Sequence, residues 1–147
     1  MNGAHELDAW LVGILTRLDA PARRVLARAV AVELRRRQAA RIAAQRNPDG
    51  SAYVPRKPQL RHKRGSIRRA MFMRLRLVRY LKDQADDNAA VVTFAGTAQR
   101  IAQVHHFGLR DRVNKRGLTA QYAARQLLGF DAADIEAVAD LVINAVR

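Results

Sequence analysis

The strongest constraint on this fold is a long helix that is stopped abruptly. Residues 21–45 are a run made up mainly of strong helix formers and rich in Ala and Arg. The run stops at the sequence NPDG (residues 47–50), because a residue before proline is biased away from helical angles and Pro-Asp-Gly fits a type I turn. Pro55 and Pro58 each lack a backbone donor, so the segment that follows is predicted to be an extended or irregular surface loop.

One further helix is indicated before the long helix, and another near the C-terminal end of the sequence. Residues 4–18 place apolar side chains at steps of three and four, which predicts an amphipathic helix. These side chains are Leu7, Trp10, Leu11, Ile14, Leu15 and Leu18. Asp19 is a candidate N-cap for the long helix, where Pro21 is tolerated in the first turn. Asp131 is a candidate N-cap for a C-terminal helix.

The middle of the chain predicts a β-hairpin. The sequence AAVVTFAG (residues 89–96) is β-branched and aromatic, which is typical of a strand, and a turn is expected across residues 84–88. We expect a short helix from Ser66 to about Arg74 and then the partner strand through Lys82. A second short helix is expected from a Thr97 cap to a stop at Gly108, followed by a basic loop.

These elements predict a single α+β domain over residues 1–147. Long N-terminal helices and a C-terminal helix would pack on a small antiparallel hairpin or sheet, with a long basic loop projecting. The expected divisions are an N-terminal helix at 1–18, the long helix at 19–46 and the loop at 47–65. The hairpin, a short helix and the C-terminal helix would fill residues 66–147.

The charge of the chain is strongly unbalanced. Twenty-seven Lys and Arg oppose thirteen Asp and Glu, which gives a formal charge of +14. Such an excess attracts polyanions. The basic side chains of the central region are therefore candidate phosphate contacts, and they are Arg61, Lys63, Arg64, Arg68 and Arg69. The same surface could equally pair with an acidic protein neighbour, and the sequence leaves both readings open.

Several classes of function lack support in the sequence. No cysteine is present, which excludes disulfides and thiolate metal sites. His105 and His106 are adjacent, so on a helix they point about 100° apart and are poorly placed to share a metal. No nucleophile motif or phosphate-binding glycine loop occurs. No catalytic residue, metal or cofactor is therefore predicted, and no signal peptide or membrane span is expected.

Four blocks of sequence closely resemble the phage virion morphogenesis family. They are VELRRRQAARIAAQRNPDGSAYVPRK, AMFMRLRLVRYLK, VVTFAGTAQRIAQVHHFGLRDRV and YAARQLLGF, in this order and at the family's spacing. The resemblance extends over roughly residues 25–146. Members of this family are tail completion proteins of contractile-tailed bacteriophages and related prophages.

The resemblance implies a structural role rather than an enzymatic one. It implies a virion protein, assembled in the host cytoplasm, that completes the head-proximal end of the tail so that a head can join. The implied partners are other copies in a ring, often six-fold, and tail-tube or neck proteins, with DNA passing in transit. A basic DNA-binding module that contacts phosphates through residues 56–82 is the alternative.

Two segments are candidate interfaces in such an assembly. Tyr53, Arg56 and Lys57 lie in the predicted projecting loop, and Tyr and Arg often dominate interface energies. The second candidate is the apolar turn that contains Phe107 and Leu109, with His105 structural beside a subunit contact. A simpler alternative for Phe107 is that its ring covers the sheet.

Overall fold

The fold is organised around one long helix that contacts a hairpin and a second helix. The computed structural model describes residues 2–57 and 70–147, and these residues form helices and two antiparallel two-stranded sheets. The helices are α1 (Asn2–Leu15), α2 (Ala20–Ala43), α3 (Thr97–Phe107) and α4 (Ala132–Ala145). The strands are β1 (Leu81–Ala85), β2 (Ala90–Phe94), β3 (Arg110–Arg112) and β4 (Thr119–Gln121). The predicted α+β class is confirmed, while most of the predicted basic loop lies outside the described residues.

Both ends of α2 follow the sequence signals. The Asp19 carboxylate accepts a hydrogen bond from the Ala22 N–H at 2.9 Å, which satisfies a donor that the first helical turn leaves free. Beyond the helix, the Gly50 N–H donates to the Asn47 carbonyl at 2.9 Å and closes the predicted turn. Gly50 has a φ of 88°, an angle that glycine adopts without steric cost. The predicted cap and turn are therefore confirmed.

Two apolar clusters share α2 as a common wall. One contains the fully buried Ile42, Leu81 and Leu127 and joins α2 to β1, β2 and α3. The other contains Leu26 and Val142 and joins α2 to α4, with apolar side chains of α1 packed against it. Fully burying one such side chain contributes about 1.5–3 kcal/mol, so these clusters supply the main stabilisation of the fold.

The segment before the first hairpin differs from its prediction. Residues 71–80 are a series of turns, in which the Leu75 N–H donates to the Phe72 carbonyl and the Leu77 N–H to the Arg74 carbonyl. Phe72 has a φ of 64°, which a right-handed helix cannot contain. The helix predicted to reach Arg74 and the strand predicted from residue 75 are therefore wrong over this segment, and Ser66 lies outside the described residues.

The first hairpin exists, but its register is shifted along the chain. β1 begins at Leu81, which pairs with Phe94, and it continues through residues that were predicted to form the turn. The shift follows from burial and pairing, because Leu81 is fully buried and its carbonyl accepts a hydrogen bond from Arg35 of α2 at 2.9 Å.

A second hairpin replaces the predicted basic loop after α3. β3 and β4 pair antiparallel, with Asp111 opposite Ala120. Gly108 ends α3 in the left-handed conformation, as predicted, but the N-cap position is Gly96 and not Thr97. The hairpin turn is closed by Asn114, whose side-chain oxygen accepts from the Leu118 N–H at 3.2 Å. The segment itself has little strand propensity, so the hydrogen bonds of the turn help to bring its two strands together.

Candidate assembly surfaces

Two arginines of α2, Arg37 and Arg41, act inside the molecule. Asp134 of α4 is fully buried, and its carboxylate accepts from Arg41 at 2.7 Å and from Arg37 at 2.6 Å. Buried Gln38 accepts from both Arg41 and the Gly129 N–H, the latter at 3.1 Å. These side chains fix α4 and the turn before it onto α2, so they are not available to a polyanion or a partner.

Tyr53 is a core residue of this chain. Its side chain is 5% exposed, and its hydroxyl donates to the Gln126 carbonyl at 2.9 Å. Its ring meets the edge of the Phe72 ring at a centroid distance of 5.8 Å. Burial raises the pKa of Tyr53 to about 12, so the hydroxyl stays protonated and remains a donor. The ring therefore stabilises the start of the loop from inside this chain.

Arg125 was missed by the sequence analysis and holds this loop in place. Its guanidinium is buried and donates from Nε to the Val54 carbonyl at 2.7 Å and from Nη2 to the Pro55 carbonyl at 3.0 Å. Its own backbone N–H donates to the His105 carbonyl at 2.7 Å. The one signal in the sequence was an arginine inside the apolar stretch YAARQLLGF.

The exposed Arg56 and Lys57 lie at the rim of a groove of about 420 Å³. The Lys57 ammonium donates to the Gln121 carbonyl at 3.3 Å, and Arg56 lies close enough to Arg125 to help lower the pKa of that guanidinium, after burial as the first cause. His105 lines the same groove. The structure thus brings His105 to the same groove as the predicted interface residues Arg56 and Lys57, which are far from it in sequence.

His105 lies in an aromatic setting. Its ring centroid is 4.9 Å from that of Phe72 and 4.7 Å from that of Tyr122, and its buried Nδ1 has no hydrogen-bond partner. Burial lowers the pKa of His105, the positive charge of Arg125 lowers it further, and Asp111 opposes the shift. The imidazole is therefore held neutral and packs as a ring beside the groove.

The turn after α3 is largely exposed. Phe107 is 65% exposed and Leu109 is 46% exposed, so the Phe107 ring covers little of the sheet. Val113 and Leu118 of the second hairpin are also exposed, at 53% and 62%. Four large apolar side chains are thus exposed within residues 107–118, and exposed apolar surface of this kind is a candidate interface.

The predicted phosphate contacts all lie outside the described residues, and they are Arg61, Lys63, Arg64, Arg68 and Arg69. Across residues 2–57 and 70–147, no group of His, Asp and Glu is arranged to hold a metal ion. Within the same ranges, no helix has the length and apolarity that crossing a membrane requires.

Comparison with known proteins identifies relatives over nearly the full chain. The profile of the phage virion morphogenesis family matches residues 3–147. Tail completion protein S of Escherichia phage P2 is 35% identical over 145 residues, which is 97% of this chain and 97% of that protein. No solved structure matches the chain.

Proposed function

The chain belongs to the phage virion morphogenesis family, and we propose from that premise that it completes the head-proximal end of a phage tail. The near full-length similarity to a tail completion protein carries this proposal. The coarser conclusion, a structural role in the assembly of a phage tail, follows from the family and this relative together.

The finer proposal is that copies of the chain form a ring at the tail end, six-fold in symmetry, and that the ring allows a head to join. A ring requires a heterologous contact, in which one patch of each copy meets a different patch of the next. The exposed apolar and basic side chains around α3, the second hairpin and the Arg56–Lys57 rim support such contacts. Tyr53 and His105 support that rim from within the chain.

In this proposal the partners are tail-tube or neck proteins and the DNA that passes through the joined particle. The protein resides in the virion and is incorporated in the host cytoplasm. Its role is stoichiometric rather than catalytic, because each particle would keep the copies that it has received.

The direct test is complementation of a phage that lacks this gene. Wild-type protein should restore joined particles, while Arg56→Ala/Lys57→Ala should lower their yield at least several-fold. Arg17→Ala/Arg24→Ala is a matched control, because it removes the same charge from exposed positions of the N-terminal helical region. A normal yield of joined particles from the Arg56/Lys57 variant would show that this rim is not a required contact. Normal particles without the gene would reject the function itself.

The formal charge of +14 favours DNA binding as a second candidate function. Affinity that rests on phosphate contacts falls steeply as salt rises, because bound counterions are released. A titration with duplex DNA at low and moderate salt would therefore show a steep loss of affinity if this alternative holds. Weak binding at low salt would leave assembly as the better explanation of the basic surface.

A further inference from the structure

We propose that the tip of the β3–β4 hairpin inserts into an apolar groove between α1, α2 and α4 of a second copy of this chain. The inference rests on the proposed self-assembly at the tail end, and it names the two surfaces that meet. Neither surface was among the interface residues predicted from the sequence.

The hairpin tip combines apolar and basic side chains. Val113 and Leu118 flank the turn and are joined by a hydrogen bond from the Val113 N–H to the Leu118 carbonyl at 2.7 Å. More than half of each side chain is exposed. Arg112, Lys115 and Arg116 are exposed around them, and residues 112–118 contain no acid. Such a tip presents an aliphatic centre inside a positive rim.

The groove is also apolar, but the charged side chains among its lining residues are mainly acidic. It measures about 330 Å³, and its walls are mainly aliphatic side chains of α1, α2 and α4. Typical of these side chains are Leu11, Leu15, Val30, Ile135, Val138 and Val142. Two carboxylates, Asp8 and Asp87, lie among the lining residues. The aromatic ring of Phe130 also lines the groove and is 63% exposed, so apolar surface continues outward from it.

Charge and apolar character therefore match between the two surfaces. Val113 and Leu118 would pack against the apolar walls of the groove. The basic side chains around them would then lie close to Asp8 and Asp87. Arg23 is the one cation among the lining residues that the structure describes, and its buried Nε has no hydrogen-bond partner. A main-chain carbonyl of the inserted turn would supply the missing acceptor, and an unpaired buried donor is costly enough to favour such a ligand.

The two surfaces are separate parts of the chain. The groove is lined by residues up to 90 and from 130 onward, whereas the hairpin spans residues 110–121. A contact between two different patches is heterologous, and it repeats from copy to copy until the rotation closes a ring. A hairpin that met another hairpin would instead give a two-fold dimer and stop there.

The test compares assembly of two variants, each with one surface removed. Leu118→Asp places a charge on the hairpin tip, and Asp8→Lys/Asp87→Lys reverses the rim of the groove. Because both sets of changes lie at the surface, circular dichroism and melting curves should match the wild type. Losing one buried Leu should weaken assembly by about tenfold to hundredfold, which sedimentation velocity over a concentration series measures. Leu77→Asp, an exposed apolar position on neither surface, is the matched control.

An equimolar mixture of the two variants gives the decisive result. The Leu118 variant keeps an intact groove, and the Asp8/Asp87 variant keeps an intact hairpin. The mixture should therefore form a one-to-one dimer and nothing larger, at a concentration where each variant alone is monomeric. A mixture that stays monomeric would overturn the inference, and so would normal assembly of the Leu118 variant.

Failure of this inference can be separated from failure of the proposed function. Wild-type protein that remains monomeric at its highest attainable concentration would reject the contact between copies. Complementation of the gene-deleted phage would still report on tail completion in that case. If the variants assemble normally and also restore joined particles, the function stands and the hairpin is not the contact.

Discussion

Asp134 is a buried carboxylate that pairs with two arginines of the long helix α2. Burial raises the pKa of this carboxyl, but hydrogen bonds from Arg41 and Arg37 outweigh that effect and leave the pKa below its ordinary value. The carboxylate also caps the start of α4 together with Asp131, whose N–H donates to it at 3.1 Å. One ionised group thus joins two helices and completes a capping box.

Replacing this carboxylate should be strongly destabilising. Asp134→Asn leaves two guanidinium groups without their buried partner, and breaking a buried ion pair costs about 3–5 kcal/mol. Asp83→Asn is the matched control, because its partner Arg28 is 60% exposed and an exposed pair contributes less than about 1 kcal/mol. The free energies of unfolding in urea give the comparison. Equal losses in the two variants would contradict the importance assigned to burial.

The two histidines of α3 should make stability depend on pH. Burial lowers the pKa of both His105 and His106, and protonation of His106 Nδ1 would remove its acceptor role toward the Leu127 N–H. The unfolded chain then binds protons more readily than the folded chain. The resulting stability is present above about pH 6.5 and is lost as pH falls toward the lowered folded-state pKa values.

Substitution of these rings isolates the effect. His105→Phe keeps an aromatic ring against Phe72 and Tyr122, and His106→Gln keeps an acceptor for the Leu127 N–H. The double variant should lose less stability than the wild type between about pH 7 and about pH 5, measured by urea unfolding. An unchanged pH dependence would show that these imidazoles titrate alike in both states.

At the scale of elements, the sequence predicted the features that depend on local chemistry. Asp19, the turn at residues 47–50 and Asp131 act through side chains within a few residues of their partners, and all three appear as predicted. β1 was misplaced because its strand character comes from pairing with β2 and from burial of Leu81 under α2. Those causes are tertiary, and intrinsic strand propensity does not reveal them.

The candidate site was predictable to a similar degree. The apolar sequence at Phe107 predicted an exposed turn, and the structure shows that exposure. The groove lined by Arg56 and His105, by contrast, depends on hydrogen bonds from Arg125 to carbonyls that are distant in sequence. The second hairpin was missed because its strands have three residues each and are polar. Its turn residues, Asn114 and Gly117, were the available signal.

The junction between α3 and the second hairpin should be intolerant of a side chain. A Cβ at Gly108 would lie 2.7 Å from the Ala124 backbone nitrogen, whereas one at Gly117 would meet nothing within 4 Å. Both glycines have positive φ, at 65° and 91°. Gly108→Ala should therefore destabilise by about 1–3 kcal/mol more than Gly117→Ala, since only the first adds a steric clash. Urea unfolding of the pair measures the difference, and equal losses would mean that backbone strain alone matters.

At the scale of the whole molecule, the basic character divides into two parts. Arg37 and Arg41 are used in the buried network, while Arg56 and Lys57 and the tip of the second hairpin remain at the surface. The number of basic residues alone therefore overstates the polyanion-binding surface of the described residues, because these two arginines are paired with carboxylates inside the fold. The basic side chains that remain at the surface are accompanied by exposed apolar side chains. A surface that is both basic and apolar fits protein contacts in an assembly.

A structural and a catalytic protein differ in how their effect depends on amount. Purified protein added to an extract that holds separate heads and tails should produce joined particles in proportion to the copies added, and the yield should stop rising when the protein is consumed. An enzyme would instead continue to produce joined particles with time at any low dose. Electron microscopy and plaque counts across a dilution series measure both behaviours, with boiled protein as the control. The break point of the titration gives the number of copies per particle, and a yield that keeps increasing at limiting protein would reject the stoichiometric role.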